Sequence, residues 1–568
     1  MCYYTIMFRI ILLLFVLTIS LFAKEIKKLD FSGDIDLVFG DFSKNSLEKV
    51  CQISYPPFYK IWQKNPSFTE DEILACKESI EEYAQSLGYY KALISYKIDN
   101  NQAVIDIIKN KAIIINSISI EDEYKDIIKL KINDKFNTIS FSNSKKEIKQ
   151  YLSQRGYPKA ELNVKAYVDL DNYKVDIIYE VYKDKLQYFD TVTINNNSNV
   201  EDKYIAQKVK FKKGELYNSL LVEQTYEELY NFGIYNYISL EHNYTQNNTV
   251  PITINLEQGT YREINYTLGY DTDTQVRIKA EYKNDNLFGN LKKTIIGTKI
   301  NKDGYKIYNI FFVPYFIGDK ISLTNEIEYE DMDYESYSQK KTEEKIYLSR
   351  KIFDITHNLG FLSQNSQIRS QLQEYKSGSY LLNSVFYQAI YDQRDSTLNP
   401  KNGYYLSLYL EKGVKSLFSE EAYTKALAEF RYLKTFDKIT TSFKTKIGTL
   451  DKDLPIFKHF FAGGDYSNRG YTYQDVGQKD YEDNPYGGLS IIDSSFEIEY
   501  AIYKDLGIAL FYDSSMLSLK SNDYNQKFYN SYGFGARYYT PIGPLRVDFG
   551  FPIDKGGFVF HIGIGQVF

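Results

Sequence analysis

From residue 261 onward the chain loses its helical periodicity and becomes a series of strand-like stretches. REINYTLGY, TQVRIKAEY, KKTIIGTKI, KIYNIFFVPY, KISLTNEIEYE, KIYLSRKIF, NLGFLSQNSQIRSQL and YLLNSVFYQAIYD form the first half. YYLSLYLEKG, YTKALAEFRYL, ITTSFKTKIGTL, LSIIDSSFEIEY, LGIALFYD, FYNSYGFGARYY, LRVDFGFP and FVFHIGIGQVF bring the number to sixteen. A tilted strand crosses a bilayer in about 9–11 residues, and bacterial barrels close on an even strand number. Residues 260–568 are therefore expected to form an all-β 16-stranded transmembrane β-barrel. After residue 24 no run approaches the roughly 18 apolar residues of a membrane helix, which excludes a helical membrane protein but not a barrel. The 56 Tyr and 36 Phe suit interfacial aromatic girdles, although abundant Lys, Ile and Asn suggest that A/T-rich codons contribute.

The spacing of turns supports the same reading. NLFGN (286–290), YFIGD (315–319), FDITH (353–357), RDSTLNPKNG (394–403), KTFD (434–437), AIYKD (501–505) and TPIG (540–543) fall at every second connection. Periplasmic turns are short and external loops longer, which makes 451–488 the sixth external loop. Acidic EYEDMDYE (328–335) is read as a solvated external loop, and Lys-rich tracts in 124–150 as solvated helix faces.

Residues 25–259 have another texture. TEDEILACKESIEEYAQSLGYY begins with Thr69-x-x-Glu72, a capping box, and runs into alternating strand. A glycine after a helix, then an aromatic or apolar residue and a strand, recurs at Gly88, Gly156 and Gly233. The glycines suit left-handed helix caps. Three α+β units of strand, two helices and a closing hairpin are expected at 24–110, 111–184 and 185–259. Upstream, Arg9, the apolar IILLLFVLTISLF and Ala23 read as a signal peptide over 1–23. Export leaves Cys51 and Cys76 in an oxidising compartment, either as a disulfide or as two buried thiols.

Gly463-Gly464 with Asn468-Arg469-Gly470-Tyr471 resembles the loop-six [VI]-R-G-[FY] signature of the BamA/TamA outer-membrane assembly superfamily, Asn468 standing where an aliphatic residue is usual. DQRDSTLNPKNG resembles the superfamily's turn motif, with Arg394, Asp395, Pro400 and Gly403 in place. FYD (511–513) is similar to its aromatic-x-Asp strand, with Ser515 in place of a common Gly, and GFGARYYTPIGPLRVDFGFP (533–552) to its penultimate hairpin; Phe568 ends the chain. The resemblance implies POTRA repeats followed by the barrel, and three repeats resemble the TamA branch most. It further implies a loop six folded into the lumen, where Arg469 meets acidic wall residues. Asp513 and Glu497 are the candidates, with Glu499 as a fallback of the same parity, and Gly463, Gly464 and Gly470 would make the turns. In the last strand, Phe558, Phe560, Ile562, Ile564 and Phe568 fall on one face and Gly563 and Gly565 on the other. The resemblance implies that this strand and strand 1 form a lateral seam. Unfolded outer-membrane proteins would be substrates, outer-membrane lipid the surroundings, and a TamB-like inner-membrane-anchored protein a partner of the POTRA units.

Other functions fit less well. A net charge of −6 with mixed signs gives no basic field for nucleic acid. None of the four histidines (His242, His357, His459, His561) has metal-ligand spacing, and no G-x-S-x-G, P-loop or H-E-x-x-H occurs. No enzyme, cofactor or metal is expected. Within the superfamily, a BamA-like general insertase and a two-partner-type secretion pore are the alternatives to the TamA-like assembly factor. Secretion pores usually have two POTRA units and a plug helix.

Overall fold

The computed structural model describes residues 26–36, 40–56, 63–244, 247–397, 399–503, 505–540 and 543–565. The signal peptide and Phe568 lie outside them. One compact unit takes in residues up to 193 with 209–225 and 240–253; the other takes in 194–208, 226–239 and 254–568.

In the first repeat, β1 (Lys28–Gly33), α1 (Lys44–Val50), α2 (Glu70–Ser86), β2 (Leu93–Asp99) and β3 (Gln102–Ile108) form a sheet of order β1-β3-β2. β1 runs parallel to β3 and β2 antiparallel. Helix α2 starts where Thr69 Oγ1 accepts from the Glu72 amide at 3.3 Å and the Glu72 carboxylate accepts from the Thr69 amide at 2.8 Å, a reciprocal cap. Gly88 ends it with φ +89°, where an added Cβ would come 2.4 Å from the Phe136 carbonyl. Leu47, Ile73, Ile80, Ile105 and Ile107 are buried between the helices and the sheet. Cys51 and Cys76, 4.7 Å apart at Cα, form a disulfide between the end of α1 and α2, which resolves the alternative left open by the sequence.

The second repeat pairs β4 (Ile114–Ser119), β6 (Lys174–Tyr182) and β5 (Glu161–Asp169) in that order, under α3 (Thr138–Ser153). Its expected first helix is only a 3₁₀ turn, Asp122–Tyr124. Tyr124 is fully buried there, so a single turn fills the space. The third repeat repeats the sheet order with β7 (Tyr188–Asn196), β9 (Thr249–Gln258) and β8 (Tyr235–His242), and has α4 (Asp202–Ala206) and α5 (Ser219–Tyr230). No helix among the described residues is long and apolar enough to cross a membrane.

Sixteen antiparallel strands follow in chain order. They are β10 (Arg262–Asp271), β11 (Gln275–Asn284), β12 (Lys293–Asn301), β13 (Gly304–Ile317), β14 (Ile321–Asp333) and β15 (Tyr337–Ile352). Next come β16 (Ile355–Ser370), β17 (Gly378–Asp392), β18 (Gly403–Gly413), β19 (Tyr423–Phe436) and β20 (Ile439–Leu450). After a long connection β21 (Ser490–Tyr503), β22 (Leu506–Ser518), β23 (Tyr529–Thr540), β24 (Gly543–Pro552) and β25 (Val559–Ile564) complete the barrel. Ile264, Tyr266, Leu268, Ile278, Ile296 and Phe560 are exposed on its outer face, as a lipid-facing wall requires.

Three expectations need correction. The middle strands outrun a bilayer: β15 and β16 have 16 residues each. EYEDMDYE is largely the end of β14 rather than a loop, because Glu328 and Glu330 turn inward and pair with Lys341 at 2.6 and 3.2 Å, extending the ladder. The first three external connections, 272–274, 302–303 and 334–336, are also as tight as the periplasmic ones. Side chains close two of these turns: Asp271 Oδ1 accepts from the Thr274 amide at 2.6 Å, and Asn301 Oδ1 from those of Asp303 and Gly304 at 3.1 Å. Such Asx turns replace a longer loop. Among the described residues no ladder joins β10 to β25; one backbone bond crosses there, from the Thr272 amide in the first turn to the Ile562 carbonyl at 3.1 Å.

Candidate functional site

Loop six carries its own apolar core into the barrel. Leu454, Phe460, Ala462, Tyr471 and Val476 are buried against wall residues Leu382, Tyr423, Leu450, Ile491 and Leu517. Its first end is pinned by Lys458, whose Nζ lies 2.9 Å from Glu411, and by Lys425, whose Nζ donates to the Lys458 carbonyl at 2.9 Å. Gly463 and Gly464 then turn the chain with φ of +104° and +101°; a Cβ on Gly464 would meet Asp273 at 2.4 Å. Gly470 adopts no left-handed conformation. It is small for another reason: a Cβ there would lie 2.3 Å from that of Ser531.

The turn delivers Arg469, which is fully buried. Its Nε and Nη2 donate to the two Asp513 oxygens at 2.8 and 2.9 Å, and Nη1 donates to Glu497 at 2.5 Å. Its backbone amide also donates to Asp513 at 3.0 Å, and its guanidinium lies 3.4 Å from the Phe511 ring centroid. A buried guanidinium is favourable only when carboxylates answer it, and the planar fork fits one of them bidentately. Antiparallel pairing of β21 with β22, Ser495 opposite Asp513, puts both acids on one wall. Glu499 has the same parity but does not contact Arg469. It accepts from Tyr539 at 2.9 Å and lies 3.4 Å from Lys401 and 3.5 Å from Arg537. Asn468, at the usual aliphatic position, donates to the Tyr529 carbonyl at 2.7 Å and accepts from Ser531 at 2.6 Å. Ser515 donates to Asp493 at 2.6 Å, and Ser467 of the loop donates to the same oxygen at 2.9 Å.

Sequence reasoning left the rest of this network unassigned. Glu497 also accepts from Arg537 at 3.0 Å, Arg537 donates to Asp548 at 2.5 Å, Arg546 lies 3.2 Å from Asp548, and Arg546 donates to Asp465 at 2.8 Å. Arg537, Arg546 and Asp548 were present in the hairpin GFGARYYTPIGPLRVDFGFP; the signal was their shared inward parity. Asp465 had no such signal. Its amide donates to Asp273, in the first external turn, at 2.7 Å. His561 of β25 completes the bridge. Its Nε2 donates to the Arg469 carbonyl at 3.0 Å, so a neutral ring accepts at Nδ1 from the Thr272 hydroxyl, 3.2 Å away. Loop six thus touches both edges of the sheet where the ladder is interrupted.

In β25, Phe560 and Ile562 face outward, whereas Gly563 faces the lumen. A Cβ on Gly563 would come 2.6 Å from the Asp465 carboxylate. Gly565 lies beyond the strand at φ +104°, and its carbonyl accepts from Arg546 Nε at 2.6 Å. On the opposite side of the barrel, Arg394 makes a two-point contact with Asp392 at 2.9 and 2.8 Å. Asp395 accepts from the Lys401 amide at 2.8 Å, Pro400 is buried, and Gly403 turns at φ +114°, where a Cβ would meet the Gln393 carbonyl at 2.1 Å.

A barrel of this strand order with α+β repeats before it and an arginine loop in its lumen defines an outer-membrane assembly-type architecture. Residues 232–568 match the Omp85 superfamily domain, and 110–184 and 187–259 match the POTRA surface antigen variable number repeat. The chain belongs to the Omp85 superfamily, and its barrel is located in the bacterial outer membrane. It is 20% identical over 557 residues to the outer membrane protein assembly factor BamA of Nitratidesulfovibrio vulgaris, covering 91% of this chain and 70% of that protein. To BamA of Neisseria meningitidis serogroup B it is 20% identical over 478 residues, covering 72% and 60%. The crystal structure of BamA from Haemophilus ducreyi lacking POTRA domains 1–3 shares its fold, with a TM-score of 0.65 at 19% identity over 79% of this chain and 98% of that one.

Proposed function

We propose that this protein is an outer-membrane assembly factor that inserts β-barrel and autotransporter-type proteins through the seam between β10 and β25. The observation that carries the reading is the interrupted ladder: among the described residues no ladder joins β10 to β25, and one backbone bond links the turn after β10 to β25. Among the described residues the β10 edge therefore keeps N–H and C=O groups without a backbone partner over most of its length. An extended substrate segment can add to such an edge, an arrangement that most sheets avoid. The names of the curated relatives support the same class. In this reading three periplasmic units, at 24–110, 111–184 and 185–259, capture unfolded substrate ahead of a barrel that starts at 260. Arg469, Asp513 and Glu497 hold loop six in the lumen.

Three repeats support a TamA-like role restricted to some substrates, with a TamB-like partner on the periplasmic units. The relatives named BamA support the general insertase instead. Depleting the protein in its own organism and quantifying the outer-membrane proteome separates the two. Loss of a small set of autotransporter-type proteins is the result expected of the TamA-like factor, and general loss is that of the BamA-like one. An unchanged proteome would overturn the assembly reading and favour a dedicated secretion pore.

A further inference from the structure

The lumenal wall beside the first strand carries a charge arrangement that the loop-six network leaves unused. Lys279 on β11 is directly opposite Lys299 on β12, and Lys299 is directly opposite Lys306 on β13. Like charges facing each other on neighbouring strands destabilise a sheet. The outer two are answered, since Lys279 lies 2.8 Å from Glu281 and Lys306 pairs with Glu328. Lys299, between them, has no carboxylate within ion-pair distance among the described residues. Arg277, the next inward residue of β11, adds a fourth cation and reaches Asp271 at 3.0 Å. A cavity of about 350 Å³ opens on the row, lined by Lys279, Lys299, Lys306, Tyr308, Glu326 and Glu328. Both of those carboxylates are engaged. Glu328 holds Lys306 and Lys341, and Glu326 accepts from the Tyr347 hydroxyl at 2.7 Å.

On the seam side little among the described residues covers the row. The β10 residues in register with Arg277 and Lys279 are Gly269 and Thr267. The Arg277 guanidinium lies over the bare backbone of Gly269, 3.6 Å from where a Cβ would be. Thr267 is short and exposed. A strand added to the β10 edge would extend the same row, and its residue opposite Thr267 would face the lumen. Two strand spacings of about 4.8 Å each then separate it from Lys279, a gap that two long side chains span.

We propose that Arg277 and Lys279, with Lys299 and Lys306 behind them adding positive charge to the same row, form an oxyanion subsite that receives the carboxylate side chains of a polypeptide strand seated on the β10 edge. The inference rests on the reading of that edge as the substrate-pairing surface and adds the chemical preference of the segment it accepts. A polypeptide carboxylate fits better than a lipid phosphate because the row faces the lumen, away from the lipid wall.

The test uses the purified full-length chain in detergent micelles and two fluorescent strand peptides that differ only in having Glu or Gln at alternate positions. The Glu peptide is expected to bind about fivefold tighter, the upper range for an exposed ion pair, and added salt should shrink the difference. Lys299→Gln should bring the two affinities together, as should Lys279→Gln with Lys306→Gln. Lys446→Gln, on β20, should leave the ratio intact. Retained heat-modifiable mobility on gels shows that each variant is folded. Equal binding of both peptides to the unaltered chain, or an unchanged ratio in Lys299→Gln, overturns the subsite and leaves the edge reading standing. Binding of neither peptide overturns both. Lys299-dependent binding of lipopolysaccharide micelles without a peptide preference assigns the row to a lipid phosphate and also overturns the proposal.

Discussion

At the scale of single residues, the site is governed by the cost of burying charge. Arg469, Arg537 and Arg546 are all buried, as are Asp465, Glu497, Asp513 and Asp548. Removing one partner from such a network leaves an uncompensated charge, which costs about 3–5 kcal/mol. Arg469→Ala is therefore expected to lower the temperature at which the folded band converts to the unfolded one on gels, and Arg469→Lys should recover little, because an ammonium cannot bond Asp513 at two points. An unchanged conversion temperature in both variants would remove the lumenal tether. Elsewhere, in the third repeat, His242 is packed against the rings of Tyr217 and Tyr244, 5.8 and 6.2 Å away, and its Nε2 is buried without a partner among the described residues. Burial lowers its pKa below the ordinary 6.5. The unfolded chain then binds a proton that the folded one refuses, so stability falls as pH drops through and below that ordinary value. Hydrogen exchange corrected for intrinsic rates should show reduced protection of 235–242 at about pH 5.5 relative to about pH 7.5, near the usual histidine range. His242→Phe should abolish the change, and equal protection at both pH values would contradict the assignment.

At the scale of elements, loop six and the first hairpin depend on each other. Asp273 is the acceptor for the Asp465 amide, and the Thr272 hydroxyl meets His561. Asp273→Ala should therefore speed hydrogen exchange of the Asp465 and Thr272 amides by more than it affects β21 or β22, which pair without a break from Ser490 to Ala501. Uniform protection would mean that the loop does not tie the edges. The strands themselves were legible in the sequence because alternation is imposed locally by the pleat. So were the glycine caps at Gly88, Gly156 and Gly233, which take φ of +89°, +89° and +69°. The length of β14 and β15 was not, since their extension depends on cross-strand pairs such as Lys341 with Glu330, and no single strand announces its neighbour's register.

At the scale of the whole molecule, the interrupted ladder gives the sharpest prediction. Thr272→Cys with His561→Cys places two thiols where the first turn and β25 already meet through their side chains, the Thr272 hydroxyl lying 3.2 Å from His561 Nδ1. Under oxidising conditions the disulfide is expected to stop assembly of newly made outer-membrane proteins, and a reductant should restore it. Full activity of the oxidised variant would exclude passage through the seam. Chain order, strand number and the arginine motif followed from the sequence by itself: side-chain alternation, turn chemistry and short motifs are properties of neighbouring residues. The destination of loop six, the bridge from Asp465 to Asp273 and Arg546, the meeting of His561 with Arg469, and the lysine row across β11, β12 and β13 were decided only by the tertiary structure. Each joins segments far apart in the chain, and a buried charge is bound to whichever opposite charge the closed barrel brings within reach.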